Sequence, residues 1–154
     1  MRSSPRSRVA GLDDQEIEQA ALRYLARRDR TEAQVTGLLR RRGVPPARIA
    51  AQLQRLRRLG YLNDKVYARR WAESRIARKP MGRLRLEAEL LAQGLDRPLV
   101  LNTLGAVYGG RSERDLARDL LRARAGQALS QARQVRLLRS HGFSEETIEL
   151  IAGS

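Results

Sequence analysis

The chain has 154 residues and a formal net charge of +14, because 31 lysines and arginines outnumber 17 aspartates and glutamates. It has no cysteine, which excludes disulfide bonds and cysteine-ligated zinc sites. Only 4% of the residues are aromatic and 31% are charged, so the composition favours several small aliphatic clusters over one thick core. The positive charge favours polyanions or acidic protein surfaces as partners.

The start of the chain has charge but no hydrophobic pattern. The stretch MRSSPRSRVAG contains no apolar segment of the kind found in secretory signals, and no later run approaches the length of a membrane span. We therefore expect residues 1–12 to form a flexible basic tail. We also expect a cytoplasmic protein that has no contact with a membrane.

Signals for helix starts recur along the rest of the chain. Asp13, Thr31 and Ser112 each stand three residues before a second polar side chain, as in a capping box. Asn63, Asp96 and Ser144 are further N-cap residues. Apolar residues between these signals recur at three- and four-residue spacing, and no segment alternates as a strand does. The sequence therefore predicts an all-α fold.

One local pattern occurs three times. In each copy a leucine stands four residues before a glycine, an apolar residue follows the glycine directly, and a β-branched residue lies six positions after it. We predict that each glycine ends a helix, because glycine readily adopts the left-handed conformation found after many helices. The three copies align without gaps as Leu39, Gly43, Val44 and Ile49, then Leu90, Gly94, Leu95 and Val100, then Leu138, Gly142, Phe143 and Ile148.

This repeat has a period of about fifty residues, which is typical of tandem helical modules that bury their faces against neighbours. We predict three modules with three helices each, covering residues 13–62, 63–110 and 111–154. The glycine at 43, 94 or 142 would end the second helix of its module. The modules are expected to follow one another in an elongated, curved arrangement.

Two helices of this scheme carry conspicuous arginines. The helix expected over residues 47–59 has an apolar arc of Ile49, Leu53, Leu56 and Leu59, and the opposite arc carries Arg48, Arg55 and Arg58. In the first helix of the second module, Arg75 instead falls inside an apolar arc that contains Tyr67, Trp71 and Ile76. Arg75 would then snorkel to the edge, pair with a carboxylate of a neighbouring helix, or line a cleft that receives a partner. We favour the structural pair, and for Trp71 a core position rather than stacking on a base.

No arrangement typical of catalysis or of cofactor binding is found in the sequence. The single histidine, His141, precedes a helix-ending glycine, where interaction with the helix C-terminus explains it, and it has no neighbouring metal ligands. There is no phosphate-binding loop of the GxxxxGK[ST] type, and most carboxylates are paired in sequence with arginines. We expect no catalytic, cofactor-binding or metal-binding residue, and hence no enzyme.

The order of motifs resembles the RecX family of bacterial regulatory proteins. The resemblance rests on ALRYLARRDRTEAQVTGLLRRRG, LRRLGYLNDKVYARRWAESRIARK, MGRLRLEAELLAQGL and LLRSHGF, and it covers nearly all of the chain after the basic tail. Its most specific parts are the turn Gly60-Tyr61-Leu62 before Asn63 and the pattern of Tyr67, Trp71 and Arg75. It implies an all-helical monomer that binds the nucleoprotein filament of the RecA recombinase and inhibits its recombinase, ATPase and coprotease activities. The resemblance also implies weak binding of single- and double-stranded DNA.

Charge and composition alone leave a second function open. A helical module could bind DNA without sequence preference by placing arginines against phosphates. Under either hypothesis we expect a basic surface, continuous across the first two modules, that faces the partner or the DNA. Its predicted residues are Arg40, Arg41, Arg55, Arg58, Arg69, Arg70, Lys79, Arg83 and Arg85.

Overall fold

The computed structural model describes residues 11–109 and 112–152, and the regular elements in these ranges are all helices. The α-helices are α1 (Asp14–Arg27), α2 (Glu32–Arg41), α3 (Pro46–Arg58), α4 (Asp64–Arg78), α5 (Arg83–Ala92), α6 (Arg97–Gly109), α7 (Glu113–Ala123), α8 (Gln131–Ser140) and α9 (Glu145–Ala152). A short 3-10 helix, Ala125–Gln127, lies between α7 and α8. The predicted all-α fold is confirmed. None of these helices is long and apolar enough to cross a membrane.

The chain forms two compact units, Met1–Tyr67 and Ala68–Ser154, called unit 1 and unit 2 below. In unit 1, leucines and other aliphatic side chains of α1, α2 and α3 share one core. Leu12 packs against this core, so this end of the predicted basic tail is anchored, while residues 1–10 lie outside the described residues. The buried members of the core are Ile17, Ala21, Val35, Leu39, Val44, Ile49, Leu56 and Leu62.

Unit 2 contains most of α4 and all of α5 to α9. Within it, the loop before α5 meets the loop after α8, since the backbone N–H of Gly82 donates to the carbonyl oxygen of His141 at 2.8 Å. Glu113 of α7 joins the same junction, because its carboxylate accepts the backbone N–H groups of Arg83 and Ser144 at 3.1 and 3.0 Å. Most of the predicted second module thus lies in the same unit as the third. The division of the chain into three modules stays a prediction.

The three repeated glycines end α2, α5 and α8, as predicted. Gly43, Gly94 and Gly142 have φ angles of +81°, +86° and +81°. After two of these helices, the backbone N–H of the next residue donates to the carbonyl of the repeated leucine, from Val44 to Leu39 and from Phe143 to Leu138, both at 3.1 Å. These are the hydrogen bonds of a Schellman motif. The aligned apolar residues of all three copies are buried.

The predicted N-caps are also confirmed. Thr31 and Gln34 form a complete capping box at the start of α2. The side-chain oxygens of the other predicted caps each accept a backbone N–H from the first turn of the helix that follows. Since an N-cap side chain stabilises a helix by about 1 kcal/mol relative to alanine, these residues fix where the helices begin. The remaining caps are Asp13, Asn63, Asp96, Ser112 and Ser144.

The apolar arc predicted for the third helix was partly wrong. Helix α3 ends at Arg58, because Gly60 with φ +81° turns the chain away, and Leu59 is left 52% exposed. The side chain of Gln52 instead occupies a buried position between Ile49 and Leu56 along the helix, where its Nε2 atom has no hydrogen-bond partner among the described residues. Leu53 packs only at the edge of the core.

Candidate nucleic-acid and partner interface

Four residues of the predicted basic surface lie in unit 1. Arg40 and Arg41 occupy the last turn of α2, Arg55 and Arg58 lie in the second half of α3, and all four are exposed. Arg55 is engaged within the unit, because its Nε donates to Oε1 of Glu18 at 3.1 Å. The other three form no ion pair among the described residues, so their charges remain accessible to a partner.

Other arginines of α3 bind carboxylates of the preceding helices. Arg48 donates from Nη2 to Oδ1 of Asp14 at 2.8 Å, and Arg57 pairs with Glu32. The hydrogen bond to Glu32 raises the pKa of the Arg57 guanidinium above its ordinary value. The pair of Arg48 with Asp14 links α3 to the first turn of α1, but it is exposed and contributes little to stability.

The other five predicted residues lie in unit 2, and they differ in their surroundings. Arg69 donates from Nε to Oε1 of Glu73 one turn along α4, at 2.7 Å. Arg83 exposes its side chain while its backbone N–H is bound by Glu113. Arg85 is partly buried, and its guanidinium lies 3.5 Å from Glu89. Arg85 therefore also contributes to packing. Arg70 and Lys79, the remaining two, are exposed.

Arg75 forms an ion pair with Glu89 of α5. Its Nε donates to Oε2 at 3.1 Å and its Nη2 donates to Oε1 at 2.8 Å, in the bidentate geometry that suits guanidinium and carboxylate. The hydrogen bond from Arg75 lowers the pKa of Glu89 below its usual value. The Arg75 guanidinium also lies 5.5 Å from the centroid of the Trp71 ring, within cation-π range. Of the three alternatives for Arg75, the structure shows the pair with a carboxylate.

Three arginines that the sequence reasoning did not select lie together at a small pocket of unit 1. Arg23 and Arg27 of α1 and Arg42 after α2 line a cavity of about 200 Å³. Two signals were present in the sequence, namely the four-residue spacing of Arg23 and Arg27 and the arginine run that ends at Arg42. The approach of α1 and α2 that joins them is a tertiary feature.

No group of three or more histidine, aspartate or glutamate side chains within residues 11–109 and 112–152 is arranged to hold a metal ion. His141 is buried, and its Nδ1 must carry a proton, because it lies 2.9 Å from the carbonyl oxygen of Leu137. Burial lowers the pKa of His141, which opposes the charged form that would interact favourably with the helix end.

Similarity to known proteins identifies the family. Residues 11–61 match the first three-helix domain of RecX, and residues 63–104 match the second. The chain is 38% identical over 125 residues to the regulatory protein RecX of Thermobifida fusca (strain YX). The matched region covers 79% of this chain and 65% of that protein. The chain is 33% identical over 111 residues to the regulatory protein RecX of Mycobacterium avium (strain 104), covering 72% and 64%. The chain thus spans slightly less than two thirds of these relatives.

Solved structures show the same fold. The crystal structure of RecX from Lactobacillus salivarius superimposes with a TM-score of 0.81 at 23% identity, covering 91% of this chain and 94% of that one. A second crystal structure of a regulatory protein RecX has a TM-score of 0.75 at 20% identity, covering 92% and 73%. Together with the two matched domains, these similarities show that the chain belongs to the RecX family.

Proposed function

We propose that this protein regulates the RecA recombinase, chiefly as an inhibitor that binds the RecA-DNA filament and restrains its recombinase, ATPase and coprotease activities. The observation that carries the proposal is the match of residues 11–61 and 63–104 to the two RecX domains. The relatives contribute the regulatory role that their names state, and RecA as the partner comes from the family resemblance. In this proposal the protein is a cytoplasmic monomer that acts without cofactor or metal.

The charge of the chain supports a filament as the partner. A net charge of +14 favours binding to a structure that carries both DNA phosphates and acidic protein surface. Arg40, Arg41 and Arg58 are exposed and have no carboxylate partner among the described residues, so binding would not first have to break an internal ion pair. Each phosphate contact would release counterions from the DNA and strengthen binding at low salt.

The second candidate function is binding to DNA alone, and the arginine-lined pocket of unit 1 favours it. In that case the protein would recognise phosphates without regard to the recombinase, and its affinity would fall steeply with salt. A regulator of the filament would also contact RecA, and protein contacts of mixed character are less sensitive to salt than phosphate contacts.

The two functions can be separated by comparing two binding partners. Binding of the full chain to naked single-stranded DNA and to a nucleotide-loaded RecA filament on the same DNA would be measured by fluorescence anisotropy at low and at raised salt. We expect filament binding to persist at raised salt where binding to naked DNA is lost. If both affinities decay together with salt, the protein is a DNA-binding module and the proposal fails.

A further inference from the structure

The pocket between α1 and the end of α2 has apolar side chains at its floor and arginines around them. Four of its residues stand at positions 20, 23, 24 and 27, which follow one face of α1. Ala20 is buried and Leu38 is partly buried, so these two side chains supply apolar surface beneath the arginines. The lining consists of Ala20, Arg23, Tyr24, Arg27, Leu38 and Arg42.

The positive charge of this pocket is not neutralised within the described residues. No carboxylate is among the lining residues, and Arg23, Arg27 and Arg42 form no ion pair there. A further cation lies beside them, since the guanidinium of Arg30 stacks on the Tyr24 ring at 3.9 Å from its centroid. The arginines of α3 at positions 48, 55 and 57 contrast with this group, because each has a carboxylate partner.

A larger cavity of unit 2 is also lined by three arginines, and it adjoins a groove that contains two carboxylates. Arg124, Arg133 and Arg136 line about 480 Å³ beside α8. Arg136 also lines the adjoining groove, which contains the carboxylates of Glu145 and Glu149. The pocket of unit 1 therefore presents the less compensated positive charge.

We propose that the pocket formed by Arg23, Arg27 and Arg42 binds a phosphate group, presented by a nucleic-acid strand or by a small phosphorylated molecule. Guanidinium groups match the geometry and charge of phosphate oxygens, and a bound phosphate would relieve the mutual repulsion of the three cations. The apolar surface of Ala20 and Leu38 suits the sugar or base attached to such a phosphate. This site does not require RecA, and it gives the second candidate function, DNA binding, a location on the protein.

The test uses the full chain without RecA and two variants that remove the same charge. The pocket variant combines Arg23→Gln and Arg42→Gln, and the control variant combines Arg78→Gln and Arg114→Gln. Arg78 and Arg114 are exposed, line none of the pockets described here and form no ion pair among the described residues. Binding of a labelled single-stranded oligonucleotide would be followed by anisotropy over a range of salt. Binding of inorganic pyrophosphate would be followed by calorimetry.

We expect the pocket variant to bind the oligonucleotide about tenfold more weakly than the wild type, with a salt slope shallower by about 1.4 for two lost contacts to a single strand. The control should retain most of the wild-type affinity. A parallel loss of pyrophosphate binding would assign the site to small phosphorylated molecules as well, whereas loss of oligonucleotide binding alone would assign it to nucleic acid. Both results support the site.

Equal weakening in the pocket and control variants would overturn the site, because net charge alone would then explain binding. Wild-type affinity of the pocket variant for both the oligonucleotide and pyrophosphate would overturn the site too. The lining arginines are exposed, so the variants should retain wild-type helix content and melting temperature, which circular dichroism would check. The single variant Arg27→Gln provides a second test of the same pocket, with a smaller expected loss.

Discussion

Arg75 of α4 and Glu89 of α5 are joined by two hydrogen bonds of 3.1 and 2.8 Å, although each side chain retains some exposure, 33% for Arg75 and 23% for Glu89. Glu89 is shared, since Arg85 also approaches it. This pair connects the first two helices of the predicted second module inside unit 2. It gives Arg75 a structural role that does not depend on binding to another molecule.

We predict that Arg75→Ala lowers the free energy of unfolding by about 1 kcal/mol. This lies between the small effect of an exposed pair and the larger effect of breaking a buried one. Urea denaturation of the wild type and of Arg69→Ala, whose partner Glu73 lies on the same helix, would provide the comparison. If Arg75→Ala keeps full stability but no longer binds the filament, Arg75 lines a binding cleft and the structural interpretation is wrong.

The same pair predicts a pH effect. Because the pKa of Glu89 is lowered in the folded protein, the ionised pair stabilises the fold above the ordinary glutamate pKa of 4.5. This stabilisation should be lost as the pH falls below 4.5 and through the lowered pKa. In Glu89→Gln the free energy of unfolding should fall less than in the wild type as the pH drops below 4.5, as measured by urea denaturation at several pH values. An unchanged pH profile in Glu89→Gln would contradict the prediction.

Two repeated glycines should differ in their tolerance of alanine. Gly43 and Gly142 share a φ angle of +81°, which costs an alanine about 1–2 kcal/mol. A Cβ atom on Gly43 would meet no other atom within 4 Å, whereas one on Gly142 would lie 2.1 Å from the Cβ of Arg85 and 2.6 Å from its backbone nitrogen. Gly142→Ala should therefore be clearly more destabilising than Gly43→Ala. Thermal melts of the two variants would check the order, and equal melting temperatures would show that unit 2 is not packed this closely.

The contact between the loop before α5 and the loop after α8 can be tested at Gly82. A substitution there introduces no backbone strain, because the φ angle of Gly82 is −81°. A Cβ atom there would come 2.2 Å from the backbone nitrogen of Phe143. We predict that Gly82→Ala destabilises the protein by steric contact alone, since alanine adopts this backbone conformation without cost. Hydrogen exchange should then show increased opening at the start of α5 and after α8. Increased exchange confined to unit 1 would contradict the prediction.

His141 predicts a stability change at mildly acidic pH. Burial lowers its pKa, with further contributions from the charges of Lys79, Arg85 and Arg124. The unfolded chain then binds a proton more readily than the folded one, so stability should fall as the pH drops below the ordinary histidine value of about 6.5. His141 is the only histidine, and His141→Gln should remove the dependence between pH 6.5 and 5, as followed by melting temperature. A wild-type melting temperature that stays constant over this range would show that the folded protein accommodates the charged ring.

The proposed filament contact is best tested with unpaired arginines. Arg55 is held by Glu18, so reversing its charge would disturb the fold as well as the surface. Arg41→Gln combined with Arg58→Gln should weaken inhibition of RecA ATPase activity and leave helix content unchanged. The variant Arg78→Gln with Arg114→Gln removes the same charge and should inhibit nearly as well as the wild type. Full inhibition by the Arg41 and Arg58 variant would place the contact elsewhere in the chain.

The local architecture could be predicted from the sequence because its causes are local. A capping side chain such as Thr31 acts on backbone groups within three residues, and Gly43 or Gly142 ends a helix through its own φ angle. The buried positions of the repeat followed from the alignment of its apolar residues in the three copies. Leu59 departed from the helical spacing, because the helix ended one residue before it.

Only the tertiary structure decided how the charges are used. Arginines with the same local pattern differ in their surroundings, since Arg55 and Arg48 bind carboxylates 37 and 34 residues away, while Arg23, Arg27 and Arg42 line one pocket that contains no carboxylate. A helical wheel gives the direction of a side chain but not the element that it faces. Close backbone contacts, such as that between Gly82 and His141, likewise depend on how helices pack, because residues so far apart in sequence meet only in the folded chain.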